Sequence, residues 1–115
     1  MRETNHHQPR RKNEMTKTER SMLFEKVALE IDEEMERAEN LHGPFHSLHE
    51  AIAVIREEYV ELEQTIFWGD KNGDNIHSVR LEALQLSAMA TRLLMSLTPS
   101  SAMRFHLSDA EREVD

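Results

Sequence analysis

The stretch SLHEAIAVIREEYVELEQTIFW, residues 47–68, decides the fold. Leu48, Ala51, Ile52, Ile55, Tyr59, Leu62 and Ile66 recur every three or four residues, the spacing of one helix face. Ser47 and Glu50 have the spacing of a capping box. GDKNGDN at 69–75 is turn chemistry, so the helix is expected to end near Trp68. The same stretch raises the functional question. Glu57, Glu58 and Glu61 read EExxE, which is either a solvated helix face or a nest for a divalent metal.

The flanking segments are helical too. Thr16 and Glu19 fit a T-x-x-E capping box. Leu23, Val27, Ile31, Met35 and Ala38 follow at helical spacing, until Gly43-Pro44 stops the helix near Leu41. Asn75 is a candidate N-cap for a third helix that ends near Leu97, before Pro99. That helix carries two stripes: Val79, Ala83, Leu86, Ala90 and Leu93, and Leu81, Leu84, Ala88 and Met95. A helix apolar on two sides is usually buried between partners. The expectation is an all-α antiparallel helical bundle over residues 16–97, completed by a second chain. A basic arm at 1–15 precedes it. A polar tail at 98–115 follows, where Ser108 and Glu111 have the spacing to cap a short extra helix.

Composition narrows the classes. The chain has 115 residues and no cysteine, so there is no disulfide framework and no thiolate site. A core of this size is marginal, and burial at an oligomer interface would help it. No apolar run approaches the roughly 20 residues that span a bilayer, and the first twenty residues lack the apolar segment of a secretory signal. A soluble, cytoplasmic protein without membrane contact is expected. The first twenty residues hold six Lys and Arg against three Glu; the rest holds eight against nineteen Asp and Glu. The acidic body disfavours nucleic acid and suits divalent cations.

A helical wheel sharpens the question about the glutamates. At about 100° per residue from Leu48, Glu57 falls near 180°, opposite the apolar stripe. Glu58 falls at about 280° and Glu61 at about 220°, flanking it. On the third helix, Glu82 and Gln85 repeat the i, i+3 spacing, and Met89 and Arg92 continue that strip between the two apolar stripes. If the two helices pack antiparallel, Glu58 and Glu61 meet Glu82 and Gln85, and hard cations such as Mg²⁺ want such oxygens. The alternative is two solvated glutamate clusters. Glu39-x-x-His42 is half of a di-iron pair whose other half is missing. His46 and His49 sit three apart, and chance and helix capping explain them better than metal binding does.

SLHEAIAVIREEYVELEQ, a polar loop, then VRLEALQLSAMATRLL resembles the MazG-like all-α NTP pyrophosphohydrolases, in particular their small single-domain phage and bacterial type. The likeness covers about residues 45–96 and rests on EExxE, a variable loop and ExxD on the next helix. It implies metal ligands at Glu58, Glu61 and Glu82, with Gln85 standing where the family has aspartate. It implies Mg²⁺, or Mn²⁺, and a nucleoside triphosphate hydrolysed to monophosphate and pyrophosphate. Glu57 or Glu61 then takes the proton from water. Lys71, Arg80 and Arg92 are the candidate phosphate partners by charge, with surface or intrahelical ion pairs as the alternative, and Trp68 is the candidate base stacker, with bundle or dimer packing as the alternative. It also fits a homodimer or homotetramer. The competing reading is a non-catalytic oligomeric helical module, or a nucleotide binder with a degenerate site, and Gln85 keeps it open.

Overall fold

The computed structural model describes residues 14–69 and 75–99. The rest of the basic arm, Lys71 and the tail from residue 100, with its Ser108–Glu111 cap, lie outside the described residues. The fold is all-α, as expected: α1 spans Lys17–His42, α2 Leu48–Trp68 and α3 Asn75–Ser96, with no strand among the described residues.

The capping box read at Thr16 is made in full, and the one read at Ser47 by its first half, the Glu50 carboxylate turning to the His46 N–H instead. Thr16 Oγ1 accepts from the Glu19 N–H at 3.0 Å, and Glu19 Oε1 accepts from the Thr16 N–H at 2.8 Å. Ser47 Oγ accepts from the Glu50 N–H at 3.0 Å. Gly43 and Gly69 end α1 and α2 at φ 77° and 65°, where a Cβ is disfavoured, and their N–H groups bond Glu39 O and Thr65 O. Asn75 is the first residue of α3 instead of its N-cap, and its Oδ1 lies against Gly69.

α3 is the central helix and packs on both α2 and α1. The short 69–74 connection makes α2 and α3 antiparallel. α1 runs parallel to α3, because Glu30 pairs with Arg80 and, further along both helices, Glu39 lies beside Arg92. The doubly apolar character of α3 thus has one partner within the chain on each side. The core is Met35, Ala38, Ala88 and Met89, with Ile31, Phe45, Val54 and Ile55 against it. No large side chain is fully buried among the described residues.

One orientation differs from the wheel. The fully buried residue of α2 is Ala51, and the side it shares with half-buried Glu58 and Leu62 faces α3. Ile52, Tyr59 and Ile66, the middle of the expected core stripe, are exposed. α2 is therefore rolled by roughly 60° from the apolar-stripe expectation. The roll carries Glu58 inward and leaves the Ile52, Tyr59 and Ile66 row outside.

Arg92 fixes the α1–α2 connection. Its side chain is 6% exposed. One terminal nitrogen donates to Gly43 O at 2.7 Å, the other lies 3.3 Å from Met89 Sδ, and the guanidinium sits 4.2 Å from the centre of the Phe45 ring. Nε is 3.6 Å from Glu39 Oε2, an ion pair too long for a hydrogen bond. Removing this cation leaves a half-buried carbonyl without its donor and a void beside Phe45. Arg92→Ala is expected to cost about 2–4 kcal/mol. A urea denaturation midpoint close to that of the native chain would contradict this.

Candidate metal centre between α2 and α3

Two short-range facts place the site. Glu58 and Glu61 are one turn apart on α2, and Glu82 lies opposite on α3. Carboxylate oxygens of all three lie within 4.8 Å of one another. Glu58 and Glu82 are half-buried and Glu61 is exposed, so the cluster opens to solvent on the Glu61 side. Gln85 is half-buried one turn further along α3. The i, i+3 spacings on antiparallel helices thus bring together the three glutamates that the sequence marked.

The electrostatics are unfavourable as they stand. Glu58 Oε1 and Glu82 Oε1 are buried without a hydrogen-bond partner. Burial raises the pKa of Glu58 above its ordinary value, and repulsion from Glu61, Glu82, Glu57 and Glu34 adds to it. Burial raises Glu82 too, followed by the charge of Glu61 and a hydrogen bond to it. A hydrogen bond between two carboxyl groups needs a proton, so the cluster without a cation favours retaining one.

The donor set fits a hard divalent cation. Octahedral Mg²⁺ with bonds of about 2.1 Å holds its ligand oxygens about 3–4 Å apart, so the three carboxylates need only a small closure. The two orphaned oxygens would then gain a partner. Three positions, or two with Gln85 bound through its carbonyl oxygen, would be left for water and phosphate oxygens.

The remaining candidates fall elsewhere. Glu57 is exposed, as the wheel places it, and also lines a cleft of about 270 Å³ beside Glu58. Glu34, Arg37, Phe45, Glu50, Met89 and Arg92 contribute to the same cleft. Arg80 pairs with Glu30 of α1 at 2.8 Å and serves the α1–α3 contact. Arg92 forms part of the cleft wall, with two of its N–H groups engaged as described and Nε without a hydrogen-bond partner. Trp68 lies two helical turns past Glu61, 77% exposed, its ring 5.9 Å from Phe67 edge to face. His46 is held by Glu50 through both its backbone N–H and its ring Nδ1. Sequence reasoning missed Phe45 and the Glu34–Arg37 pair. Glu34 and Arg37 had a readable i, i+3 signal; the seat of Phe45 depends on Arg92, 47 residues away.

Comparison with protein families, with curated proteins and with solved structures returns no match.

The raised carboxyls set a pH dependence. A carboxyl with a higher pKa in the folded chain binds its proton more tightly there. Its contribution to stability is therefore full below the ordinary value of 4.5 and is lost as pH rises through the folded value. Glu30 and Glu50 shift downward through their hydrogen bonds to Arg80 and His46, so they act below 4.5 and with the opposite sign. Metal-free protein is expected to gain thermal stability as pH falls from 7 toward 5, and then lose it below 4.5. Glu58→Gln should flatten the rise. Melting curves across this range in the presence of chelator would show it, and an unchanged slope in the variant would count against the buried position of Glu58.

Proposed function

We propose that the chain is a Mg²⁺-dependent nucleoside triphosphate pyrophosphohydrolase that works as a homo-oligomer. The observation that carries this reading is the pair of buried, partnerless oxygens of Glu58 and Glu82, set on facing helices beside Glu61. Three carboxylates in this arrangement are costly alone and become favourable around a divalent cation. Glu58, Glu61 and Glu82 hold it, with Gln85 as a neutral fourth oxygen. When bound, the metal supplies charge neutralisation on the phosphate oxygens and a lowered pKa for bound water. Glu57, exposed at the edge of the cluster, accepts the proton of the attacking water. A new oxygen–phosphorus bond forms at the α-phosphorus, the α–β anhydride bond breaks, and pyrophosphate leaves. The cleft lined by Phe45, Met89 and Arg92 adjoins the cluster through Glu57 and Glu58 and offers room for the organic part of the nucleotide.

The resemblance around residues 45–96 supports the same chemistry. Exposed Ile52, Tyr59 and Ile66 support oligomerisation, as a dimer or tetramer. No helix among the described residues is long and apolar enough to cross a membrane.

The test is pyrophosphate release from common and damaged (d)NTPs with Mg²⁺ or Mn²⁺. Glu58→Gln, Glu61→Gln and Glu82→Gln are each expected to lower kcat/KM by about 100-fold or more. Gln85→Asp should lower the Mg²⁺ concentration that gives half-maximal rate. Thermal stability separates the competing reading. Native-state metal binding raises the midpoint with metal concentration, and Glu58→Gln should abolish that rise. No turnover and no metal-dependent stabilisation would leave a helical interaction module with a solvated acidic face.

A further inference from the structure

α1 is longer than the chain that supports it. α3 begins at Asn75, five residues before Arg80 meets Glu30 of the parallel α1. The first part of α1 therefore extends past the start of α3. Every residue from Glu14 to Val27 is exposed. Three helical turns, Lys17–Val27, about 16 Å long, gain almost no tertiary support. An isolated helix of that length is marginal in water. Yet the full capping box at Thr16 and Glu19 starts the helix there.

The side chains on this overhang continue the core stripe. Leu23, Phe24 and Val27 lie on the same side of α1 as Ile31, Met35 and Ala38, which pack on the rest of the chain. Phe24 is 70% exposed. At the same end of the molecule, α2 finishes and α3 begins, since Gly69 lies against Asn75. That end exposes Ile66, Phe67, Trp68 and Ile76.

We propose that the overhang is an arm that packs on the Ile66–Trp68 and Ile76 end of a second copy of this chain. Three observations select a second copy as the occupant. Arm and end lie at the same pole, so one two-fold axis buries both pairs reciprocally and closes the assembly. The exposed area of these seven side chains is on the order of 900 Å² per protomer, close to the ~800 Å² per partner of a stable interface. The arm carries Lys17, Arg20 and Lys26 against Glu19 and Glu25, whereas the rest of the described chain is strongly acidic. Its charge thus complements a further copy. The proposal stands on packing alone and is independent of the proposed catalysis.

The absence of native cysteine gives a direct test. Full-length Phe24→Cys chain and a differently tagged Trp68→Cys chain are mixed, allowed to exchange, and treated with a short bis-maleimide. A cross-linked heterodimer is expected, and none when Leu41→Cys, exposed near the far end of α1, replaces Phe24→Cys. Sedimentation velocity of the native chain should show a dimer. Phe24→Asp should weaken its association at least tenfold with unchanged helical circular dichroism, since Phe24 is largely exposed within its own chain. A monomeric native chain, an unchanged dissociation constant in Phe24→Asp, or a cross-link found only within a doubly substituted single chain would overturn the proposal.

Discussion

The α2–α3 contact takes in two half-buried carboxylates, Glu58 and Glu82, beside apolar Ala51, Val54, Ile55 and Met89, and much of the structure follows from that. α2 had an apolar row available in Ile52, Tyr59 and Ile66, yet it turns Ala51 and Glu58 toward α3. Burying isoleucine gains on the order of 2 kcal/mol per side chain, and burying an unpaired carboxylate costs several. A helix pair left to itself would roll the other way. The residues buried on this side are small as well as apolar: Ala51 of α2 and Ala88 of α3 are both fully buried. Two consequences are fixed at once. The acids require a proton or a cation, and Ile52, Tyr59 and Ile66 are left exposed.

Arg92 is the counterweight on the far side of the cleft. It ties α3 to the α1–α2 connection through Gly43 O and the Phe45 ring, so the cleft wall and the helix bearing Glu82 are joined in one packed body. Its charge helps hold Glu50 ionised, after the larger effect of the His46 hydrogen bonds. Lysine would supply the charge but not the planar face for Phe45 together with a donor directed at Gly43. The same body carries Glu57 and Glu58 at its rim, which couples the acidic cluster to the only buried polar side chain of the described core.

Much of this was written in the sequence at short range. The helix limits follow from Thr16, Ser47, Gly43 and Gly69, whose effects reach no further than four residues. The Glu82, Gln85, Met89 and Arg92 strip was legible as an inward face because apolar residues flank it on both sides. The roll of α2 was not legible. A wheel weights each apolar residue alike, and the direction of a helix is settled by the shape of its neighbour. The roles of Arg80 and Arg92 were hidden for a related reason. Arg80 meets Glu30 and Arg92 meets Gly43 across about 50 residues of chain, and spacing along one helix carries no trace of such a meeting.

Gln85 gains a physical sense from the charge around it. Glu58, Glu61 and Glu82 bring three negative charges to one opening, with Glu57 and Glu34 close enough to raise the pKa of Glu58 further. A divalent cation leaves that set net negative. On the proposed reading, the incoming ligand is a polyphosphate and must approach the same opening. An aspartate at 85 would bind the metal more firmly but add one more charge against the phosphates. An amide keeps an oxygen in place and removes the repulsion. On that reading, glutamine at 85 instead of aspartate would trade affinity for the ion against access for the anion, a change of balance within such a site and not by itself its loss.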